Sequence, residues 1–225
     1  MPHIDFVYKG IKYPSVTEIL SIIPKPWLEK WKQKHSLTKL KTYIEAKKLK
    51  FGTDLPSKVL EKYKFSKEEF WQEAEDLSKK AADRGKKYHA ELEECNKTQK
   101  YITPLQRFYK RWIDNRQWLP CRYEESLFSP TMGFGGSFDV FFQNGKKGIL
   151  GDFKFNRSFH ETTFWQLGGY ALLLPGVTHL ASLRFFEAEG NEWEIECMEK
   201  NVEYYKHCFS ICLSFYKILK ENKLI

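Results

Sequence analysis

Apolar positions along this chain recur with two different periods, and the change from one to the other divides it. Ile4–Tyr8 and Ile11–Tyr13 alternate around Lys9-Gly10 and predict a small hairpin. Ser15-Val-Thr-Glu18 has capping-box spacing and starts an apolar run to Ile23, which Pro24 and Pro26 stop. Residues 27–62 read as helical pieces broken near Gly52 and Pro56. Ser66-Lys-Glu-Glu69 is a second capping box, opening a polar-rich helix through Gly85 to about Glu94; Thr103-Pro104 opens another, ending near Gln117. From Leu119 the period shortens to two. Cys121–Ser129, Gly136–Gln143 and Lys147–Phe155 read as a three-stranded meander, with Asn144-Gly145 as a hairpin turn. Residues 160–174 return to helix, Leu180–Glu187 and Glu192–Glu196 are strands around Gly190-Asn191, and 199–221 form a long amphipathic closing helix. This order indicates an α/β or α+β sandwich, with residues 1–80 as a hairpin and helical elaboration and 81–225 as the core of a single domain.

Composition narrows the class. The 225 residues are 42% hydrophobic and 29% charged, which excludes a disordered or collagen-like chain. Apolar runs such as Tyr170–Pro175 are far shorter than a membrane helix requires, and the N-terminus has no signal-peptide core; a cytoplasmic protein without a membrane partner is expected. Five cysteines, none in a Cys-x-x-Cys pair, read as reduced thiols, although Cys208 and Cys212 share a helix face. Net charge is +8, and residues 1–100 carry 22 Lys+Arg against 15 Asp+Glu, or +7. Within 25–50, nine lysines face only Glu29 and Glu45. Lys25, Lys30, Lys32 and Lys34 interleave with Trp27 and Trp31, the combination of phosphate attraction and base stacking that suits single-stranded nucleic acid. A solvated lysine face with both tryptophans packed in the core is the alternative.

Candidate chemistry lies in the strands. In Leu150-Gly-Asp152-Phe-Lys154-Phe155, alternation puts Asp152 and Lys154 on one face and Phe153 and Phe155 on the other. Across the Asn-Gly hairpin, Asp139 is the sole acid amid Phe138, Val140, Phe141 and Phe142. Two carboxylates converging from adjacent strands, with a lysine two residues after the second, form an oxygen-rich site for a hard cation beside a group that can hold a nucleophile. Metal-assisted phosphodiester hydrolysis needs these parts. An Asp-x-Lys ion pair on an exposed strand is the bland reading of the same residues.

Asp139…Asp152-x-Lys154 resembles the signature of the PD-(D/E)XK nuclease superfamily, in its RecB-like, phage-type exonuclease branch. Arg84-Gly-Lys86-Lys-Tyr-His89 is similar to the branch's Gly-x-x-x-His helix, Glu125 begins the first core strand, Gly136-x-x-Asp139 matches the glycine-plus-acid motif, and Gln166-x-x-x-Tyr170 resembles the motif on the following helix. The resemblance implies a restriction-endonuclease-like core: a central mixed β-sheet flanked by helices. It implies that Asp139, Asp152, His89 and the Phe153 carbonyl hold Mg2+ or Mn2+, that Lys154 activates the attacking water, and that Gln166 and Tyr170 position phosphate or lysine. Glu125 touches metal through water or pairs with Lys or Arg; Glu93, one turn after His89, orients it, binds a second cation or is simply solvated. Gly85 is expected to permit close approach of the helix, and Arg84, Lys86 and the basic segment 25–65 to meet DNA, the latter as an arch threaded by a single strand. An imidazole ligand predicts that Mn2+ supports activity at least as well as Mg2+. The implied function is a metal-dependent DNA exonuclease in replication, recombination or repair, with proteins of those processes as partners. An endonuclease, a non-catalytic nucleic-acid-binding module and an iron–sulfur nuclease are the rivals; Cys197-x10-Cys208-x3-Cys212 is too loose for the last.

Overall fold

A computed structural model of the protein describes residues 6–24, 67–156, 158–188 and 192–225. The helical pieces over 27–62, the Ser66 cap, the Gly190-Asn191 turn and the DNA-binding candidates Lys25, Trp27, Lys30, Trp31, Lys32 and Lys34 lie outside the described residues. The chain divides into two compact units, Met1–Ile23 with Gly85–Ile225, and Pro24–Arg84. In the second, residues 67–84 are helical.

The first unit opens with β1 (Phe6–Tyr8) and β2 (Ile11–Tyr13), an antiparallel pair turned by Lys9 and Gly10, both at positive φ. Such a two-residue turn matches the right-handed twist of the strands it joins. Helix α1 (Val16–Ile19) starts where Ser15 Oγ accepts the Glu18 N–H at 3.1 Å, and continues as a 3-10 turn over Leu20–Ile22. Helix α2 (Lys67–Thr98) runs past the expected end at Glu94. Helix α3 (Pro104–Arg116) has a reciprocal Thr103–Gln106 capping box and ends at left-handed Gln117.

Strands β3 (Leu119–Ser129), β4 (Phe134–Asn144) and β5 (Lys147–Lys154) form the expected meander, followed by helix α4 (Glu161–Leu173), β6 (His179–Glu187), β7 (Trp193–Asn201) and helix α5 (Val202–Glu221). The last strand is longer than expected: residues 199–201, read from sequence as helix, still pair with His179–Ala181. Asn201 then caps α5, its side chain accepting the Glu203 N–H at 3.0 Å. Glu194, Glu196, Glu199 and Asn201 are the exposed positions of this edge strand, a spacing that helical periodicity mimics over so few residues.

The five strands are ordered β3-β4-β5-β6-β7, with β5 and β6 parallel and the other pairs antiparallel. This is a central mixed sheet flanked by helices. On one face Phe134, Phe138, Phe141, Leu150 and Leu180 pack against α1, α4 and α5; on the other Val140, Phe142, Phe153, Leu183 and Phe185 pack against α2 and α3. Two glycines bring α4 and α5 together: a Cβ on Gly168 would sit 2.3 Å from the Tyr205 carbonyl oxygen, and one on Gly169 would meet the Phe209 ring.

Candidate active site

The site forms where the sheet comes apart. Antiparallel pairing of β4 with β5 ends at Val140 and Gly151. Alternation on β4 slips at the same place, because Phe138 enters the α4–α5 core, Val140 the α2–α3 core and Phe141 the former again. Asp139 sits at the slip. Its Oδ2 accepts the Phe153 N–H at 2.7 Å, so a side chain replaces a backbone carbonyl as partner and the two strands diverge.

Three elements then converge. His89, on α2, places Nδ1 3.7 Å from Asp139 Oδ2. Glu124, on β3, completes a group in which one ligand atom from each of His89, Glu124 and Asp139 lies within 4.8 Å of the others. Glu124 has φ +47, a left-handed conformation costly for a residue with a Cβ, in a strand already bulged between Pro120 and Arg122. Strain of this kind persists where the surroundings over-determine it.

Electrostatics at this group are unfavourable without a cation. Burial, helped by the carboxylates of Asp139 and Glu93, pushes Glu124 from the ordinary 4.5 up to about 8. Burial and the Asp152 carboxylate raise Asp139, against the opposing pull of His89, Lys154 and the Phe153 N–H. His89 Nδ1 is buried with no hydrogen-bond partner among the described residues. An orphaned imidazole nitrogen beside two crowded carboxylates is a nitrogen–oxygen donor set that fits a divalent cation. His89, Glu124 and Asp139 would hold it.

Of the other residues singled out from sequence, Asp152 and Lys154 pair with each other, Lys154 Nζ donating to Asp152 Oδ1 at 2.7 Å. Asp152 is 3% exposed and lies outside the three-residue group, and its Oδ2 also lies 2.7 Å from Lys154 Nζ. Gln166 Nε2 donates to Tyr170 Oη at 2.8 Å on α4. Burial holds the Tyr170 phenol far above its ordinary range, with the Asp139, Asp152 and Glu124 carboxylates adding to the shift. A Cβ on Gly136 would come within 2.5 Å of the Tyr170 ring, which explains the glycine of Gly136-x-x-Asp139. Glu125 points elsewhere, accepting from Arg122 Nε at 2.6 Å; its neighbour Glu124 is the acid that reaches the group. Adjacent strand residues face opposite ways, so one step along β3 decides between them. Glu93 pairs with Lys97. A Cβ on Gly85 would meet nothing within 4 Å, so the expected close approach is absent there. Arg84 and Lys86 are exposed.

Sequence reasoning passed over Arg184. It is fully buried on β6, in parallel register with Lys154, while Ser182 is in register with Asp152. Its Nη1 donates to Asn156 Oδ1 and its guanidinium lies 4.3 Å from the Phe159 ring centroid, but among the described residues Nε and Nη2 have no hydrogen-bond partner, nor does Ser182 Oγ. A lone arginine within Leu180–Phe186 was the available signal, by the logic that picked out Asp139.

A cleft lined by Tyr101, Phe108, Trp193, Arg107, Lys110 and Arg111, with Pro104 and one acid, Glu192, opens on the α3 side. Trp193 meets Tyr88 at 5.1 Å between ring centroids, Tyr88 meets Phe155 at 5.1 Å, and Phe155 meets His89 at 5.3 Å. A continuous row of rings thus joins this cleft to the His89 group.

No family profile and no curated protein matches the chain. Among solved structures, an alkaline exonuclease (LHK-Exo) from Laribacter hongkongensis is similar at 15% identity and TM-score 0.32, covering 62% of this chain and 84% of that one. LHK-Exo in complex with dAMP gives 15% identity and TM-score 0.37 over 61% of this chain and 80% of that one. The structure of SSO0001 gives 13% and 0.37 over 80% and 83%.

Proposed function

We propose that the protein is a metal-dependent nuclease that hydrolyses DNA phosphodiester bonds, an exonuclease acting on single strands or duplex ends in replication, recombination or repair. The observation that carries this reading is the buried, unpartnered His89 Nδ1 facing Asp139 and Glu124 where β4 and β5 diverge, with the Asp152–Lys154 pair on the adjoining strand. Mg2+ or Mn2+, when bound, supplies Lewis acidity toward a phosphate oxygen and toward water. The chain's own residues do the rest. Asp152 holds the Lys154 ammonium in place, so that it can orient the attacking water and donate to oxygens that gain charge in the transition state. Gln166, held by Tyr170, offers an amide to the phosphate or to Lys154. The Phe153 carbonyl is proposed as a further ligand. The aromatic row and the basic cleft at its end supply stacking surfaces and cations for the strand, alongside the lysines and tryptophans of residues 25–34.

Wild type and Lys154→Ala, incubated with end-labelled linear and circular single-stranded DNA in Mn2+, Mg2+ or EDTA, test this directly. Metal-dependent shortening of linear DNA alone, lost in the variant, is the expected result, with Mn2+ at least as effective as Mg2+. Cleavage of circles would make the enzyme an endonuclease. DNA binding with no cleavage in any metal would leave a nucleic-acid-binding module and remove the catalytic roles.

A further inference from the structure

Helix α5 has two apolar faces, and the fold uses one. Val202, Tyr205, Phe209, Cys212 and Tyr216 are buried against α1, α4 and the sheet. Around the helix, Tyr204, Cys208, Ile211, Phe215 and Ile218 recur at spacings of four, three, four and three. Tyr204 is 63% exposed, Ile211 57%, Phe215 52% and Ile218 53%; Ile225, seven residues past Ile218, is exposed as well. Single exposed apolar residues are ordinary, but a seam at heptad spacing is the pattern by which one helix packs against another.

We propose that this face joins two copies of the chain, with their α5 helices antiparallel across a two-fold axis. Size argues for that occupant. A half-exposed aromatic leaves roughly 100 Å2 outside, so the seam amounts to several hundred Å2 per copy and a pair buries on the order of 1,000 Å2, the lower edge of specific interfaces and a micromolar dimer. Antiparallel helices in coiled-coil register set Ile211 against Phe215 of the second copy and Cys208 against its Ile218, and each contact occurs twice by symmetry. The helix dipoles also oppose in that arrangement. The seam is thus complementary to itself, and this inference stands apart from the nuclease reading.

Sedimentation equilibrium of the full chain, across roughly two decades of micromolar concentration, should show mass rising from one copy to two. Phe215→Glu and, separately, Ile211→Lys should weaken association at least about tenfold with unchanged circular dichroism, since both side chains are exposed in the single copy. Ile218→Cys should form an interchain disulfide on mild oxidation, through Cys208 of the second copy, and Cys208→Ser in that background should abolish it. A wild type that stays monomeric throughout, or a dimer that both charge variants leave intact, overturns the proposal. Wild type cross-linking through Cys208 to Cys208 would overturn the antiparallel pairing.

Discussion

Glu124 holds a left-handed backbone and a proton that an ordinary glutamate would have lost by neutral pH. Its folded value near 8 exceeds the ordinary 4.5, so the folded state binds the extra proton. The associated stability is full below the lower value and is lost as pH rises through the higher one. Glu124→Gln removes that loss. In EDTA the variant should melt above wild type at pH 8, by about 2–4 °C after allowance for partial exposure, and should match it near pH 4.5. Mn2+ should raise the wild-type Tm and leave the variant's unchanged, because a cation that binds only the folded state stabilises it by mass action. Thermal unfolding at the two pH values, with and without metal, reads both effects. Arg184 is the complementary case, a buried cation with unpartnered nitrogens beside the pair that carries the proposed chemistry. Arg184→Met keeps most of the volume and removes the desolvated charge, so Tm should hold or rise, while metal-dependent cleavage falls by about tenfold or more. A fall of many degrees would instead make Arg184 part of the scaffold.

At the scale of elements, two glycine contacts separate stability from activity. Gly168 lies against the Tyr205 carbonyl, backbone that cannot yield without moving α5 away from α4. Gly168→Ala should cost about 1–3 kcal/mol, the range for forcing a methyl group into a packed interface. Gly136 lies instead against the Tyr170 ring, which can swing. Gly136→Ala should lose less stability and more activity, since moving Tyr170 breaks its bond from Gln166. Urea unfolding and cleavage rates on the same two variants should rank them in opposite order. The elements themselves were largely legible in sequence, because caps and turns act locally: Ser15 and Thr103 each mark a boundary the structure has, and the turn expected at Asn144-Gly145 lies one residue on, at Gly145-Lys146, because Asn144 still pairs with Lys147. The end of β7 was not, because the pairing of Glu199–Asn201 with β6 depends on a strand distant in sequence.

At the scale of the molecule, affinity for DNA should fall steeply with salt, since phosphate neutralisation by lysine and arginine releases counterions. Replacing Arg107 and Arg111 with glutamate should weaken binding and leave the metal-induced rise in Tm intact, because the cleft is lined apart from the three-residue metal group. Binding isotherms at two salt concentrations check this. The mixed sheet flanked by helices was legible because period-two and period-3.6 patterns are properties of adjacent residues. So was the anomaly of Asp139, Asp152 and Lys154 as charges inside apolar strands, which are costly unless partnered. Which acid joins His89 was not. Glu124 and Glu125 are equivalent as residues, and the choice rests on a bulge in β3 and a left-handed backbone that turn one toward Asp139 and the other toward Arg122. Arg184 and the second face of α5 acquire meaning only once β6 lies beside β5 and α4 covers half of the closing helix. Local pattern determined which segments fold and which charges are anomalous, whereas only tertiary packing decided which of them meet, because meeting depends on facing direction and on strands far apart in sequence.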